Sequence, residues 1–287
     1  MTGSAKPVAG SLPADFDPVV VGEIRTRLDH VRDEGLKVLF AIESGSRAWG
    51  FPSPDSDYDC RFVYLCPPGD HFVLEQRRDV IEFPIEGDVD TGGWDLRKAL
   101  RLALKGNAAI LEWTVSPIVY EEIPGFRASL LDLLGEILDP AKVAHHYLGL
   151  LRTQAGRHDM ESGEAPIKKA FYAIRPLVAL EWMAERDFRT LPPMNMPDCL
   201  AGTAIAGDVR DAIWHLVEQK SRTRELGTGR LPAPLARFIR EGMHAMAGRL
   251  PRVSRVSGGL DERRIRADLF YSDLLKREAG LAPADAV

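Results

Sequence analysis

The residues best suited to do chemistry are two acids, Asp57 and Asp59, which follow a Gly-Ser turn at Gly45 and Ser46 after ten intervening residues. Side chains alternate between the two faces of a strand, so we expect Asp57 and Asp59 to point to the same side and Tyr58 to the other. Paired carboxylates supply the hard oxygen ligands that divalent cations prefer. The turn can offer backbone N–H groups and a hydroxyl to phosphate oxygens. Together these features predict metal-dependent nucleotidyl transfer.

This chemistry needs a third carboxylate besides the pair. Nucleotidyl transfer is an in-line displacement at the α-phosphorus of a nucleoside triphosphate, in which the protein positions groups and neutralises charge. Two Mg²⁺ ions about 4 Å apart, with Mn²⁺ as a substitute, would serve it. The candidates for the third acid are Glu82, Asp88, Asp90 and Asp95. Asp90 is preferred because it lies on a predicted strand just before a helix expected near Trp94, whereas Asp95 is typical of a first-turn acid that complements the helix dipole.

The segment between the turn and the acids has two open interpretations. Arg47 follows Ser46 directly, and it could face the triphosphate or form a surface ion pair with one of Asp55, Asp57 or Asp59. Trp49 and Phe51 lie in the same segment. These aromatic rings could stack on a base, but packing of the loop explains them at least as well.

A second group of candidate phosphate contacts lies more than a hundred residues later. Lys168, Tyr172 and Arg175 recur at spacings of four and three residues, so they share one face of a predicted helix. This face could meet the β- and γ-phosphates across a cleft. An exposed basic helix face without a ligand would explain the same spacing.

Hydrophobic periodicity predicts the elements that must position these residues. The expected strands are 37–43, 58–65, 80–85 and 89–91, followed near Trp94 by a change to helical spacing. The expected helices are 19–31, a helix stopped by Gly106, and then 108–115, 126–137, 140–157, 166–186, 208–223, 233–247 and 261–278. The fold class is therefore α+β, with a small mixed sheet followed by helices. The predicted organisation is a disordered leader over 1–17, a catalytic domain over 18–123 and a helical domain over 124–287.

Composition restricts the functional classes. The chain has 287 residues, 45% of them hydrophobic, and no run of about 18 apolar residues that would span a membrane. The first 17 residues lack the apolar core of a secretory signal, so a cytoplasmic location is expected. The three cysteines have no zinc-type spacing and are expected to be buried thiols. The net charge of −5 combines an acidic first half with a mildly basic second half, which could help to hold a polyanion.

Several motifs together resemble a known family. These are Gly45-Ser46-Arg47-Ala48-Trp49-Gly50, Ser56-Asp57-Tyr58-Asp59, Gly93-Trp94-Asp95-Leu96-Arg97-Lys98, Lys105-Gly106-Asn107, Leu111-Glu112-Trp113, and Lys168-Lys169 with Tyr172 and Arg175-Pro176. The pattern resembles the DNA polymerase beta nucleotidyltransferase superfamily, and within it the predicted RNA-ligase-associated members called RlaP. The resemblance covers about residues 38–185. Ala108 departs from it, because the family often has proline after Lys-Gly-Asn.

The resemblance implies Mg²⁺-dependent transfer of a nucleotide from a nucleoside triphosphate on a compact sheet-and-helix core. It implies that Asp57 and Asp59 are metal ligands with Asp90 as the third, and that Gly45 and Ser46 contact the triphosphate. The suggested acceptor is an RNA end in repair. A protein hydroxyl or a small molecule is the alternative acceptor, and a non-catalytic nucleotide sensor is the alternative class.

Overall fold

The computed structural model describes residues 7–75, 77–157, 164–222, 228–252 and 258–281, with the side chains of 164–168, 228–229 and 258–259 left out. Over these residues the strands are β1 Val8–Ala9, β2 Lys37–Glu43, β3 Tyr58–Leu65, β4 Val80–Glu82, β5 Val89–Asp95, β6 Val119–Glu122, β7 Glu164–Pro166 and β8 Thr228–Arg230. The helices are α1 Pro18–Asp33, α2 Gly45–Ala48, α3 Leu96–Leu104, α4 Ala108–Val115, α5 Phe126–Ile137, α6 Pro140–Arg157, α7 Ile167–Ala184, α8 Met196–Ala201, α9 Gly207–Arg222, α10 Ala233–Arg249 and α11 Gly258–Glu278.

Six strands form a mixed sheet in the order β1-β6-β2-β3-β5-β4. The neighbouring strands β3 and β5 are parallel, whereas β2 runs antiparallel to β3. Because parallel strands begin at the same edge of a sheet, the first residues of β3 and β5 lie side by side. Asp59 is thereby placed opposite Asp90 in the register of the two strands.

Each face of the sheet is covered by its own layer. Helix α1 packs on one face against side chains such as Phe62 and Tyr64. The other face presents Ile42, Val63 and Leu65 to the helices that follow β5. One continuous cluster of buried side chains runs from this face through α3 to α7 and on to α9 and α10. The described helical half is therefore packed directly onto the sheet that carries the candidate acids. The domain boundary at residue 123 stays a prediction.

The α+β class is confirmed, as are the bounds of β2, β3 and α4. Strand β5 is longer than expected, since it continues to Asp95, whose carboxylate caps α3 by accepting the N–H of Arg97 at 2.8 Å. The helix therefore begins at Leu96, two residues after Trp94, which agrees with the expected start near Trp94. Strand β4 ends before Pro84, as the lack of a backbone donor at proline requires.

The predicted disordered leader over 1–17 does not hold for residues 7–17. Strand β1 pairs with β6. Phe16 is buried, with its ring 5.3 Å from that of Tyr58. Asp17 caps α1 by accepting the N–H of Val19. Apolar burial and capping therefore order this segment despite its Gly- and Pro-rich composition, while residues 1–6 lie outside the described part.

The remaining composition-based expectations concern the cysteines and the membrane. All three cysteines are buried free thiols, as expected. In the ranges that the structure describes, no helix has both the length and the apolarity of a membrane span.

Candidate active site

The turn after β2 brings its backbone against the carboxylate of Asp59. Gly45 begins the short helix α2 with a φ of 57°, in the left-handed region that favours glycine. A Cβ atom at this position would lie 1.9 Å from Oδ2 of Asp59. Only glycine leaves room for the acid here, so the Gly-Ser turn and the Asp-x-Asp pair form one site.

Glu43, at the end of β2, holds the backbone of Asp59 on the neighbouring strand β3. Its carboxylate accepts the N–H of Asp59 at 3.0 Å and the hydroxyl of Tyr120 at 2.6 Å. The N–H of Ser44 in turn donates to the carbonyl of Asp59 at 2.8 Å. Burial raises the pKa of Glu43 to about 7. Sequence reasoning missed Glu43, because an acid at the end of an apolar run looks like an ordinary strand terminus.

Hydroxyl groups join the turn to the segment before Asp57. The Ser46 hydroxyl donates to that of Ser56 at 2.9 Å. Ser56 Oγ also accepts the backbone N–H of Ser53 at 2.8 Å. Both Ser53 and Ser56 are buried. This network fixes the loop that ends at Asp57, so the exposed carboxylate of Asp57 is carried on a supported backbone.

In the described part of the chain, Arg47 does not form the surface ion pair that is one of its two expected contacts. Its guanidinium lies 3.9 Å from the centre of the Tyr58 ring and donates to the carbonyl of Ser56 at 2.8 Å. It also donates to the carbonyl of Asp57 at 3.3 Å. Among the described residues, no carboxylate lies within ion-pair distance of Arg47. Stacking and backbone hydrogen bonds use the cation, so Arg47 supports the Asp57 loop. The contact of Arg47 with a triphosphate stays a prediction.

Asp90 lies where the third acid is predicted, beside Asp59 at the same sheet edge. An unpredicted cation lies between them. The guanidinium of Arg61 donates to Oδ2 of Asp90 at 2.6 Å and to Oδ1 of Asp59 at 3.3 Å. The pKa of Asp59 is raised, mainly by burial, against the lowering effect of Arg61, and the charges of Asp90 and Asp57 raise it further. The carboxylates of Asp57 and Asp90 are thus both close enough to Asp59 to repel its charge, and Arg61 offsets part of that repulsion.

A narrow pocket opens over the two acids. Its lining combines residues from the sheet and the helical half: Ser46, Trp49, Phe51, Ser56, Asp57, Asp59, Phe171, Tyr172 and Lys220. The enclosed volume is about 30 Å³, comparable with one water-sized site. It suits an ion or a phosphoryl oxygen, and the rest of a nucleotide would extend towards solvent.

Tyr172 lies in this pocket, as its helix face predicts. Burial raises its pKa, and the charges of Asp59 and Asp57 raise it further. Its ring meets that of Trp49 edge-on, with centroids 5.9 Å apart. The indole N–H of Trp49 is buried and has no hydrogen-bond partner among the described residues. Trp49 and Tyr172 together therefore form part of the pocket wall.

Lys220 is the second helical residue of the pocket, and nothing near it in the sequence signals a site. It is 3% exposed and donates to the carbonyl of Phe51 at 2.7 Å. Its ammonium also lies 4.8 Å from the centre of the Phe51 ring. A buried cation from α9 thus faces the same small space as two carboxylates from the sheet.

Arg175 is not brought to the pocket, contrary to its predicted role as a phosphate contact. Its guanidinium is buried and pairs with Glu112 at 2.7 Å, with a further hydrogen bond to the carbonyl of Met194 at 3.1 Å. It lies behind Trp49, 4.7 Å from the ring centre. The charge of Arg175 is therefore neutralised by Glu112 in a buried ion pair. Lys168 belongs to α7, but its side chain lies outside the described residues.

The donor set fits a hydrated divalent cation. Among the described residues, no three Asp, Glu, His or Cys side chains converge as a complete metal cage. Mg²⁺ does not require one, because it typically keeps several waters and binds through one or two carboxylates plus phosphate oxygens. Asp57 and Asp59 both line the pocket, and the charge of Asp57 acts on Asp59, so the pair meets that description.

The model of one protein family, described as "RNA repair pathway DNA polymerase beta family" and named RlaP, matches residues 22–266. The chain belongs to the RlaP family. Its RlaP membership makes it a nucleotidyltransferase-family protein of the DNA polymerase beta superfamily. Every candidate acid, with Tyr172 and Lys220, lies inside the matched range.

Individual relatives add little about the activity of this RlaP-family chain. It is 41% identical over 192 residues to "Uncharacterized protein YcgL" of Bacillus subtilis strain 168. The matched region covers 67% of this chain and 73% of the relative. A solved structure, that of a nucleotidyltransferase-like protein from Exiguobacterium sibiricum 255-15, is 12% identical. That alignment covers 90% of this chain and 80% of the other, with a TM-score of 0.29.

Proposed function

We propose that this protein transfers a nucleotide from a nucleoside triphosphate to a hydroxyl at an RNA end, in a reaction that depends on Mg²⁺. The observation that carries the proposal is the close approach of Asp59 to the Gly45 backbone, with Asp57 and Ser46 in the same pocket. A triphosphate can contact a cation held by the acids and the backbone of the turn at the same time only if the acids and the turn lie close together. The printed description of the family supports RNA as the acceptor class.

Five side chains of the pocket and the backbone of Gly45 have roles in this proposal. Asp57 and Asp59 hold Mg²⁺, which when bound would neutralise triphosphate charge and activate the α-phosphorus. The backbone of Gly45 binds phosphate oxygens from the sheet side. The hydroxyl of Ser46 joins it by turning its proton from Ser56 to the phosphate. Tyr172 and Lys220 enclose the same space from the helical side. The acceptor hydroxyl loses its proton to solvent, and its oxygen forms the new bond to the α-phosphorus. The bond from that phosphorus to the α–β bridging oxygen breaks, and pyrophosphate leaves.

Asp90 completes the acidic set in this proposal. Its carboxylate is held by Arg61 next to Asp59. The positive charge of Arg61 balances part of the negative charge of Asp59 and Asp90. The two acids can therefore lie side by side before metal and substrate bind. We assign Asp90 the part of the third carboxylate on the strength of its position in the register, opposite Asp59.

The test is label transfer from each α-³²P nucleoside triphosphate with Mg²⁺ and an acceptor panel of RNA, protein and small molecules. We expect label on RNA, and its loss in Asp59→Asn. Asp132→Asn removes one charge at an exposed site on α5 and should retain activity. Label on protein or a small molecule would refute the RNA acceptor while supporting the chemistry. Triphosphate binding without transfer to any acceptor would refute the chemistry and favour a sensor.

Salt dependence tests the RNA assignment separately. Contacts to RNA phosphates release counterions, so the affinity for RNA should fall steeply as salt rises. An affinity for RNA that does not change between low and moderate salt would contradict RNA as the acceptor.

A further inference from the structure

A much larger cavity lies between α3 and α11. Its volume is about 730 Å³, and it shares no lining residue with the pocket over Asp57 and Asp59. Cavities that hold ligands of drug or nucleotide size measure about 300–1,000 Å³. The proposed nucleotidyl transfer makes no use of this cavity, although one wall contains Lys105, from the Lys-Gly-Asn motif.

The cavity carries a surplus of positive charge in a chain that is acidic overall. Its lining has five cationic side chains, Arg97, Arg101, Lys105, Lys142 and Arg264, and two acids, Asp261 and Asp268. The whole chain has a net charge of −5. Within the described residues, no acid lies within ion-pair distance of Arg101, Lys105 or Arg264. These three cations are therefore available to an anion from outside.

The positions of the cations follow from the helix geometry. Arg97, Arg101 and Lys105 recur every four residues along α3 and so form one row. The residues of the row are spaced by about 6 Å, from a rise of about 1.5 Å per residue. A row of this kind can contact several oxygens of one phosphorylated ligand.

A glycine brings one further cation, Lys142, to the end of this row. Gly106 has a φ of 82°, and a Cβ there would lie 2.3 Å from Cβ of Lys142. The turn can thus rest directly on the first turn of α6, which sets Lys142 beside Lys105. The ammonium of Lys142 donates to the carbonyl of Leu104, in the last turn of α3, at 3.3 Å. Lys142 is therefore held at the end of the row, where it adds to the positive charge of the cavity lining.

The rest of the lining is apolar. Leu100 and Ala267 are buried at the base, and Leu104, Leu260 and Tyr271 complete the apolar surface. An inorganic ion would leave the apolar lining exposed to water. A ligand with a phosphate and a flat apolar group would contact both the cationic and the apolar lining. Asp261 and Asp268 can accept hydrogen bonds from hydroxyl or amino groups of the same ligand.

We propose that the cavity between α3 and α11 binds an organic phosphate of nucleotide size, at a site separate from the proposed catalytic pocket. The phosphate contacts the cations of α3 and Lys142, and the apolar group lies against Leu100, Leu104 and Tyr271. This site goes beyond the proposed nucleotidyl transfer and does not depend on it.

The test is equilibrium dialysis with radiolabelled ATP on the full chain in the presence of EDTA, which suppresses any metal-dependent site. We expect ATP to bind, and Arg101→Glu/Lys105→Glu to weaken it at least tenfold. Arg25→Glu/Arg240→Glu makes the same change in net charge at exposed sites outside the cavity, and should bind as the wild type does. Adenosine and inorganic triphosphate, which each offer half of the ligand chemistry, should bind at least tenfold more weakly than ATP.

Three results would overturn the proposal: no metal-free binding of ATP to the wild type, unchanged affinity in Arg101→Glu/Lys105→Glu, or an equal loss in the control variant. Melting temperatures of the variants show whether the fold is retained. Label transfer measured in parallel separates this proposal from the first. Metal-free binding without any transfer would leave the cavity site standing while the catalytic function fails.

Discussion

Lys220 Nζ donates a hydrogen bond of 2.7 Å to the carbonyl oxygen of Phe51, which precedes it by 169 residues. The bond joins α9 to the loop between the Gly-Ser turn and the acids. Two further contacts act on the same loop. The N–H of Met196 donates to the carbonyl of Trp49 at 3.0 Å, and the Phe51 ring stacks on Phe171 with centroids 4.7 Å apart. The helical half therefore positions the loop as well as lining the pocket.

Lys220→Met should lower nucleotidyl transfer by about 100-fold, because a displacement of about 1 Å at a reacting group has that effect. The free energy of unfolding should fall by about 1–3 kcal/mol, since the buried carbonyl of Phe51 loses its donor. Arg222→Met, on the exposed end of the same helix, should change neither quantity appreciably. Steady-state transfer rates and urea unfolding check both. Wild-type transfer in Lys220→Met would show that this contact does not position the site.

Gly45→Ala should abolish transfer. The new methyl group would overlap Oδ2 of Asp59, and a φ of 57° is strained for alanine. Gly149→Ala is the matched control, because that glycine lies in α6 with no neighbouring atom within 4 Å of the place that a methyl group would take. This control should gain up to about 1 kcal/mol of unfolding free energy. Full activity in Gly45→Ala, measured by label transfer, would contradict the close approach of turn and acid.

Arg175→Met should act on stability and not on substrate affinity. Breaking the buried pair leaves Glu112 as an uncompensated charge, which costs about 3–5 kcal/mol. Glu112→Gln/Arg175→Met removes that charge and keeps an acceptor for the Tyr147 hydroxyl, so most of the stability should return. Arg152→Met, at an exposed position of α6, should be neutral. Urea unfolding provides the measurement. A raised KM for the triphosphate at unchanged stability would instead restore the phosphate-binding role predicted from the sequence.

Arg61→Met should make the protein more dependent on Mg²⁺. Without the guanidinium, Asp59 and Asp90 repel each other, so the melting temperature in EDTA should fall. A ligand that binds only the folded state raises that temperature by mass action. Added Mg²⁺ should therefore raise it more than in the wild type or in Arg78→Met, an exposed control. Equal Mg²⁺-induced shifts in all three proteins would contradict a cation site at these acids.

The central part of the fold could be predicted from local sequence. Apolar runs bounded by the Gly-Ser turn and the Asp-x-Asp pair define β2 and β3. Alternation along β3 predicts Tyr58 on the face opposite the acids, and Tyr58 is indeed buried in the α1 layer. Asp90 could be chosen as the third acid because it lies on a predicted strand just before a predicted helix, and both elements are visible in the local sequence. Strand β6 is not predictable in this way, because four residues between α4 and a proline carry too little periodicity.

The residues whose roles differ from prediction depend on distant partners. Arg175 shares a helix face with Tyr172, but the side chain that decides its role, Glu112, lies on α4. Lys220 belongs to a helix with ordinary amphipathic spacing, and only the tertiary packing brings it to Phe51. One of the two contacts expected for Arg47 is an ion pair with an acid, whereas the Tyr58 ring and backbone carbonyls are its partners in the described part of the chain. Spacing shows which side chains share a face, but it does not show what lies opposite that face.

The most direct test of the account is a crystal structure with Mn²⁺ and a non-hydrolysable nucleoside triphosphate, in which anomalous scattering locates the metal. The account predicts a peak in contact with carboxylate oxygens of both Asp57 and Asp59, at about 2.0–2.2 Å as for hard cations of this size. The triphosphate should lie between that peak and the backbone of Gly45 and Ser46. A metal or triphosphate bound away from these acids and this turn would contradict the account.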